Sequence, residues 1–279
     1  MAIVMDGIAL RNRILNDLHT HINKMGIKPK LTAILIGDDS ASKLYVQNKE
    51  KYARVAGIET DIIRMPADID TQTIINQISK LNHDTSVTAI LVQLPLPKHI
   101  ETNAVINAVD VSKDVDGFTD ENIGRMFGSG NNFVMPCTPR GILELLKEYK
   151  IDIAGKKAVI IGRSNIVGKP MAQILMAYNA TVTICHSHTP NISEFTKTAD
   201  IVISATGKIK ITGDMLKSGA ILIDVGMQRD ENGKLHGDAD FESCVSVAGY
   251  ITPTPGGTGP MTIAGLMMNT VDLADKKFI

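Results

Sequence analysis

The sequence Ala158-Val-Ile-Ile-Gly-Arg-Ser-Asn-Ile-Val-Gly-Lys-Pro170 decides the fold of this chain. Its first four residues are apolar and mostly β-branched, which predicts a buried strand. Gly162 follows directly, where the backbone must turn sharply. Gly168 and Pro170 then open a segment with apolar residues at helical spacing, 171–178, and proline suits the first turn of a helix. A strand, a glycine turn and a helix N-terminus together predict an anion site, because free N–H groups and the positive helix end face the same point.

The spacing of this turn departs from the usual dinucleotide-binding fingerprint. Counted from Gly162, the second glycine position is Ser164 and the third is Val167, with Gly168 one residue late. An ordinary turn between a strand and a helix is therefore an equally good interpretation of this loop taken alone.

The next predicted strand, 180–185, indicates which nucleotide the turn suits. It ends in His186-Ser-His-Thr189, and no aspartate or glutamate stands where an NAD site usually holds the ribose hydroxyls. Hydroxyl groups, histidines and the nearby Arg163 suit a 2′-phosphate instead. The pattern predicts NADP rather than NAD.

Composition indicates an ordinary globular chain of 279 residues, with 44% hydrophobic and 21% charged residues. The net charge of −1 gives no electrostatic reason to bind nucleic acid or an anionic membrane. No apolar run is long enough to span a membrane. Cys137, Cys185 and Cys244 are far apart and lack metal-ligand spacing, so we expect no metal site, no disulfide framework and a reducing, cytoplasmic location.

Strand and helix patterns alternate along the chain, which predicts an α/β fold with parallel sheets. The predicted strands are 31–36, 59–65, 89–94, 157–161, 181–184, 201–204, 221–225 and 250–252. The predicted helices are 8–25, 40–56, 71–81, 103–109, 121–127, 138–147, 171–178 and 261–276. Ser40 or Ser42 is expected to cap the second helix, which Gly57 ends, and Thr138 is expected to cap the sixth.

We expect two domains. Gly128-Ser-Gly-Asn-Asn132 is the most linker-like segment, and the boundary is placed shortly after it. Residues 1–137 then form an α/β catalytic domain with a parallel sheet, and 138–261 form a Rossmann-like NADP-binding domain. The terminal helix, about 262–279, is expected to pack back onto the first domain.

Several polar residues follow predicted strands of the first half, where ligands collect in open α/β sheets. Tyr45 and Lys49 share one helix face through their i, i+4 spacing, Gln93 ends a strand, and Asp114 and Asp116 flank Val115 in a turn. For Tyr45 and Lys49, a solvated helix face is the favoured interpretation on the spacing alone. Gln93 also fits a hydrogen-bonded edge residue, and Asp116 also fits a turn beside Gly117.

The loop Pro255-Gly-Gly-Thr-Gly-Pro260 is harder to interpret as a plain connector. Prolines at both ends stiffen it, and its glycines let a ligand approach the backbone. The helix that follows would direct its N–H groups towards that ligand.

Short motifs in a fixed order resemble one family over nearly the full length of the chain. They are Tyr45-Val-Gln-Asn-Lys49, Val92-Gln-Leu-Pro-Leu96, Lys113-Asp-Val-Asp-Gly117, Pro136-Cys-Thr-Pro139, Gly162-Arg-Ser164 with Val167-Gly-Lys-Pro170, Asp224-Val-Gly226 and Pro255-Gly-Gly-Thr-Gly-Pro260. The family is that of the bifunctional methylenetetrahydrofolate dehydrogenase/cyclohydrolases.

This resemblance implies roles for the matching residues. Lys49 is implied to be the key catalytic group, which Gln93 tunes. Tyr45 is implied to stack on the folate ring system and Asp116 to bind the pterin, and both are counted with the catalytic set. The implied substrate contacts also include Pro255, Gly256 and Gly257. The implied NADP contacts are Gly162, Arg163, Ser164, Ser187 and Met227, the last of which replaces an isoleucine common in the family.

The resemblance also implies a cleft between the two domains and, in that cleft, two reactions of one-carbon metabolism. A hydride leaves 5,10-methylenetetrahydrofolate for NADP⁺, and water then converts the methenyl product to 10-formyltetrahydrofolate. The implied partners are tetrahydrofolate derivatives and a second copy of the chain in a homodimer. The alternatives are a dehydrogenase without the hydrolytic step and a catalytically silent NADP-sensing module, but Lys49, Gln93 and the loop 255–260 are all retained.

Overall fold

The computed structural model describes residues 1–26, 28–128, 130, 132–231 and 233–277, without the side chains of residues 40 and 41. The chain divides into two compact units. The six-stranded unit contains Met1–Asn12 and Thr138–Thr262, and the three-stranded unit contains Arg13–Cys137 and Ile263–Ile279.

The helices alternate with strands as expected for an α/β chain. The helices are α1 (Gly7–Met25), α2 (Ser40–Ala56), α3 (Thr71–His83), α4 (Thr102–Asn107), α5 (Asp120–Phe127), α6 (Cys137–Glu148), α7 (Gly168–Ala177), α8 (Ile192–Thr196), α9 (Phe241–Val245) and α10 (Thr258–Ala274). The strands are β1 (Ile3–Val4), β2 (Lys30–Ile36), β3 (Glu59–Met65), β4 (Ala89–Val92), β5 (Lys157–Ile161), β6 (Thr181–Cys185), β7 (Ile201–Ser204), β8 (Ile221–Asp224), β9 (Gln228–Arg229), β10 (Leu235–His236) and β11 (Tyr250–Ile251).

The three-stranded unit has a parallel sheet in the order β3-β2-β4. Alternate residues of β2 face opposite sides, since successive strand side chains point to opposite faces. Leu31 and Ala33 pack with residues of α1, α2 and α10. Ile34 and Ile36 pack with residues of α3 and α4. The buried strands therefore hold the segments that follow β2 and β4 at one edge of the sheet.

The six-stranded unit has a parallel sheet in the order β1-β11-β8-β7-β5-β6. Apolar residues of five strands form a buried cluster with Ile211, Cys244 and Ala248. Because all strands run the same way, the turns after β5, β6, β7 and β8 lie along one edge.

Local signals explain how the helix ends are set. Gly57 ends α2 in the left-handed conformation, at φ +80°, as expected. The cap at the start of α2 is Asp39, whose carboxylate accepts from the N–H of Ser42 at 2.7 Å, so the expectation of Ser40 or Ser42 is wrong. A carboxylate and a hydroxyl are equally good caps, and the segment 38–42 offers several.

The structure corrects two further local expectations. The helix predicted from Thr138 begins one residue earlier, at Cys137, so Thr138 lies inside the helix. The segment 255–260 is not a loop throughout, because α10 begins at Thr258. Strand β1 and the antiparallel strands β9 and β10 have two residues each. An alternation of polar and apolar residues cannot be recognised over two residues, so the sequence did not predict these strands.

Candidate active site

The amine of Lys49 meets the amide of Gln93 in the three-stranded unit. Lys49 lies on α2, is half-buried, and donates from Nζ to Oε1 of Gln93 at 3.0 Å. Gln93 follows β4 and is 8% exposed. Its Nε2 donates to the carbonyl oxygen of Leu94 at 2.6 Å, so the amide oxygen is the atom that faces the lysine. Contact with a buried amide distinguishes Lys49 from a residue on a purely solvated helix face.

Asp116 brings a negative charge near the same lysine. Its carboxylate is partly buried and receives a hydrogen bond from Sγ of Cys137, with an Sγ–Oδ1 distance of 3.5 Å. Burial raises the pKa of Asp116, and the positive charge of Lys49 opposes that rise. An amine, an amide and a carboxylate therefore converge in one place.

Tyr45 lies one helical turn before Lys49 on α2 and is 41% exposed. A phenol ring that is exposed beside polar groups offers a flat surface for a ring system of a ligand. The four predicted catalytic residues, Tyr45, Lys49, Gln93 and Asp116, all belong to the three-stranded unit.

The turn that carries Asp116 is held by buried polar side chains. Asp114 is 4% exposed, and its carboxylate accepts from the N–H groups of Gly117 and Thr119 at 2.9 and 2.8 Å. Asn269 on α10 is fully buried and donates from Nδ2 to the carbonyl oxygens of Val115 and Met135 at 2.8 and 2.9 Å. Asp114 is thus a structural residue of the turn, and Asn269 was not predicted, although an asparagine inside an apolar helix was a usable signal.

In the turn after β5, backbone packs closely against backbone. Gly162 has φ +123°, and a Cβ atom there would lie 2.6 Å from the carbonyl oxygen of Ala205. A Cβ atom on Gly168 would lie 2.3 Å from the carbonyl oxygen of Gly162. Both positions require glycine because backbone approaches backbone. The late glycine at position 168 is therefore part of the turn.

The hydroxyl of Ser164 closes the turn that leads into α7. Its Oγ accepts from the N–H groups of Val167 and Gly168 at 3.2 and 3.3 Å. These two amides are not free for a ligand, which corrects the expectation of an open helix end. Residues 163–166 are exposed, and their N–H groups make no hydrogen bond with the part of the chain that the structure describes. Unpaired N–H groups before a helix are suited to bind an anion.

Arg163 and Ser187 follow the ends of two paired strands. Ile161 and Cys185 are register partners in β5 and β6. The turn that carries Ser187 is closed by the N–H of His186, which donates to Oγ1 of Thr189 at 2.9 Å. Arg163 and Ser187 are both exposed. A cation and a hydroxyl therefore lie at one edge, where they suit a phosphate.

The remaining predicted residues also lie in the six-stranded unit. Met227 is 52% exposed in the segment after β8. Gly256 has φ +115°. A Cβ atom on Gly257 would lie 2.7 Å from the carbonyl oxygen of Pro253, and the carbonyl oxygen of Gly257 lies 1.9 Å from the position of a Cβ atom on Gly7. Packing within the chain is thus a sufficient reason for glycine at position 257.

Two family models match the chain. Residues 5–116 match the catalytic domain of tetrahydrofolate dehydrogenase/cyclohydrolase, and residues 136–278 match its NAD(P)-binding domain. The chain belongs to the tetrahydrofolate dehydrogenase/cyclohydrolase family. It is a bifunctional enzyme of one-carbon folate metabolism, a methylenetetrahydrofolate dehydrogenase and a methenyltetrahydrofolate cyclohydrolase.

Individual relatives of the tetrahydrofolate dehydrogenase/cyclohydrolase family match along the whole chain. The bifunctional protein FolD of Streptococcus pneumoniae is 50% identical over 279 residues, covering 98% of both chains. The crystal structure of the bifunctional enzyme FolD from Campylobacter jejuni has a TM-score of 0.94 and 44% identity, covering 99% of this chain and 100% of the other. The Trypanosoma brucei enzyme, solved with NADP and an inhibitor, has a TM-score of 0.93 and 34% identity, covering 99% and 98%.

These comparisons confirm the predicted family, the two-domain α/β fold and the two activities. Among the described residues, no group of three or more His, Cys, Asp or Glu side chains is placed to hold a metal ion. No helix in the described part of this family member is both long and apolar enough to cross a membrane.

Proposed function

We propose that NADP⁺ is the hydride acceptor of this enzyme and that Lys49 moves protons in the hydrolytic step. The contact between Nζ of Lys49 and Oε1 of Gln93, 3.0 Å long and beside Asp116, carries the second part of the proposal. We also propose, from the family resemblance, that Pro255, Gly256 and Gly257 contact the substrate and that the enzyme is a cytoplasmic homodimer.

The donor groups at the ends of β5 and β6 fit a nucleotide with a 2′-phosphate. Arg163 supplies a fixed positive charge, Ser187 supplies a hydroxyl, and residues 162–190 contain no aspartate or glutamate that would repel a phosphate. The backbone N–H groups of the exposed residues 163–166 suit the diphosphate. When bound, NADP⁺ accepts the hydride that leaves the bridging carbon of the folate. Gly162, Ser164 and Met227 complete the proposed nucleotide contacts.

The chain's part in hydride transfer is to position the folate. The exposed ring of Tyr45 offers a stacking surface, and Asp116 offers a carboxylate to the pterin N–H groups. The folate nitrogens stabilise the positive charge of the methenyl product themselves, so no side chain must transfer a proton in this step. Correct placement alone accelerates such a reaction strongly.

Hydrolysis differs because it requires proton transfers. Water adds to the bridging carbon and gives up one proton. The bond from that carbon to a ring nitrogen then breaks as the nitrogen takes up a proton and the new hydroxyl gives one up to become the formyl carbonyl, so that one proton is released overall. A positioned amine can carry these protons in turn. The Gln93 oxygen holds Lys49 in one direction, and the carboxyl group of Asp116 lies close enough to the same amine for their charges to interact.

A direct assay of the purified enzyme tests the proposal. Methylenetetrahydrofolate is supplied with either NADP⁺ or NAD⁺, and reduced nucleotide and methenyltetrahydrofolate are followed at separate wavelengths. We expect a higher kcat/KM with NADP⁺ and a second phase in which methenyltetrahydrofolate decays faster than in the enzyme-free blank. Equal kcat/KM values would contradict the nucleotide assignment.

A further inference from the structure

Two aspartates are buried behind the carboxyl-end edge of the six-stranded sheet. Asp224 ends β8 and is 2% exposed, and Asp238 follows β10 and is 1% exposed. Within the described ranges, neither carboxylate forms an ion pair with a lysine, arginine or histidine. Buried carboxylates need hydrogen-bond donors, and here N–H and O–H groups supply them all.

Asp238 holds the turn that follows β7. Its Oδ2 accepts from Oγ of Ser204 at 2.6 Å. The same oxygen accepts from the backbone N–H and the hydroxyl of Thr206 at 3.0 and 3.1 Å, and from the N–H of Gly207 at 3.3 Å. One carboxylate oxygen therefore sets the path of residues 204–207.

Asp224 holds Asp238 in turn. Its Oδ1 accepts from the N–H groups of Gly226 and Asp238 at 2.8 and 3.0 Å. A Cβ atom on Gly226 would lie 2.4 Å from Cγ of Asp238, and one on Gly237 would lie 1.9 Å from Oδ2 of Asp224. Each aspartate therefore packs against a glycine close in sequence to the other, and the carboxylate of Asp224 binds the backbone N–H of Asp238.

The turn that Asp238 holds lies against the proposed nucleotide site. The carbonyl oxygen of Ala205 is the atom that a Cβ on Gly162 would meet, at 2.6 Å. A Cβ on Gly207 would lie 3.9 Å from the carbonyl oxygen of Met227. The segment 205–207 therefore lies between two proposed nucleotide contacts, Gly162 and Met227.

We infer that Asp238 is a positioning residue for the nucleotide of the dehydrogenase step, acting through the turn 205–207 with Asp224 as its support. This inference rests on the proposed nucleotide site. Asp238 touches no reacting atom, and its effect is to keep the backbone around Gly162 and Met227 in one conformation.

The test compares Asp238→Ala with Asp238→Asn in the full-length enzyme. Asp238→Ala leaves buried donors unpaired, and we expect the KM for NADP⁺ to rise by about tenfold to hundredfold. Asp238→Asn can place its amide oxygen where Oδ2 lies, so we expect it to recover most of that loss. Asp240→Asn is the matched control, because its partly exposed carboxylate pairs with Lys210 and caps α9, and we expect a wild-type KM.

A second set of measurements separates positioning from general stability. The cyclohydrolase rate on methenyltetrahydrofolate without nucleotide and the KM for the folate should stay within about twofold of wild type, because the proposed hydrolytic residues lie in the other unit. Wild-type KM for NADP⁺ in Asp238→Ala, or equal losses of both activities, would overturn the inference. Should Asp238→Ala fail to fold, Ser204→Ala removes the shortest of these bonds, and an unchanged KM for NADP⁺ there would also overturn it. A wild-type enzyme that does not prefer NADP⁺ would instead refute the proposed function.

Discussion

The candidate sites of the two units differ in what they are made of: side chains in the three-stranded unit and largely backbone in the six-stranded unit. In the three-stranded unit, the candidate groups are side chains: an amine, an amide and a carboxylate that contact or face each other. In the six-stranded unit, much of the site is backbone, and glycines at 162 and 168 allow chain segments to approach within distances that a Cβ atom would not permit.

This difference predicts two kinds of sensitivity to mutation. Removal of the Lys49 amine from the three-stranded unit should abolish hydrolysis and spare hydride transfer, because only hydrolysis requires the amine to move protons. Changes in the glycine turns of the six-stranded unit should affect conformation first and binding as a consequence.

The largest expected effect is that of Lys49→Met on hydrolysis. The substitution keeps the length of the stem and removes the amine, so the cyclohydrolase rate should fall by about 10²–10⁴, the usual contribution of a positioned acid–base group. The rate is measured directly on methenyltetrahydrofolate. Lys51→Met, an exposed lysine on the same helix, is the control and should behave as wild type. If the two variants have equal cyclohydrolase rates, Lys49 is only a residue on a solvated helix face and has no role in hydrolysis.

Arg163→Ala tests the side-chain part of the nucleotide site. Loss of a charge-assisted hydrogen bond should weaken NADP⁺ binding by about 1.5–3 kcal/mol and leave NAD⁺ binding nearly unchanged. Titration calorimetry with each nucleotide gives both numbers. The control is Lys157→Ala, an exposed cation at the opposite end of the same strand. Equal losses for NADP⁺ and NAD⁺ would show that Arg163 does not face a 2′-phosphate.

Gly257→Ala tests the backbone part of the comparison. Its Cβ would lie 2.7 Å from the carbonyl oxygen of Pro253, so the free energy of unfolding should fall by about 1–3 kcal/mol. At Gly259 an added Cβ meets nothing within 4 Å, so Gly259→Ala should keep or raise Tm. The Tm of each variant, measured by thermal unfolding, tests both expectations. If Gly257→Ala keeps its Tm but loses folate turnover, position 257 requires glycine for the ligand.

The smallest effect concerns stability at Asp116. Burial raises the pKa of this carboxyl in the folded state, so the ionised form destabilises the fold at neutral pH. The stability that the neutral form supplies is present below the ordinary aspartate pKa and is lost as the pH rises through the raised value. Asp116→Asn should therefore increase the free energy of unfolding at neutral pH while lowering turnover. Urea unfolding at neutral and acidic pH checks this, since the difference from wild type should shrink in acid.

The features that were predicted from the sequence are those that depend on local patterns. The strand β5, the glycine turn and the cap at Gly57 each depend on a few adjacent residues, and the family motifs placed Lys49 and Gln93 in one site before any contact was known. The buried pair of Asp224 and Asp238 was not predicted. The partners of Asp238 lie more than 30 residues away in Ser204 and Thr206, and its own neighbourhood resembles an ordinary polar turn.

The interpretation of other residues changed because packing within the fold gives a second reason for the residue type at those positions. Ser164 stands at a fingerprint glycine position, yet its hydroxyl closes the turn by accepting two N–H groups. Gly257 was expected to admit a ligand, and the fold already favours glycine there because a Cβ atom would lie 2.7 Å from the carbonyl oxygen of Pro253. No single-sequence pattern distinguishes these roles, because both favour the same residue type.

The separation of the two reactions is tested most directly by one progress curve of the Lys49→Met enzyme with methylenetetrahydrofolate and NADP⁺. Reduced nucleotide and methenyltetrahydrofolate are recorded together, and the enzyme-free decay is subtracted. The account predicts that both rise in equal amounts, because hydride transfer continues while hydrolysis has stopped. A rise in NADPH without accumulation of methenyltetrahydrofolate would show that hydrolysis proceeds without the Lys49 amine and would contradict the account.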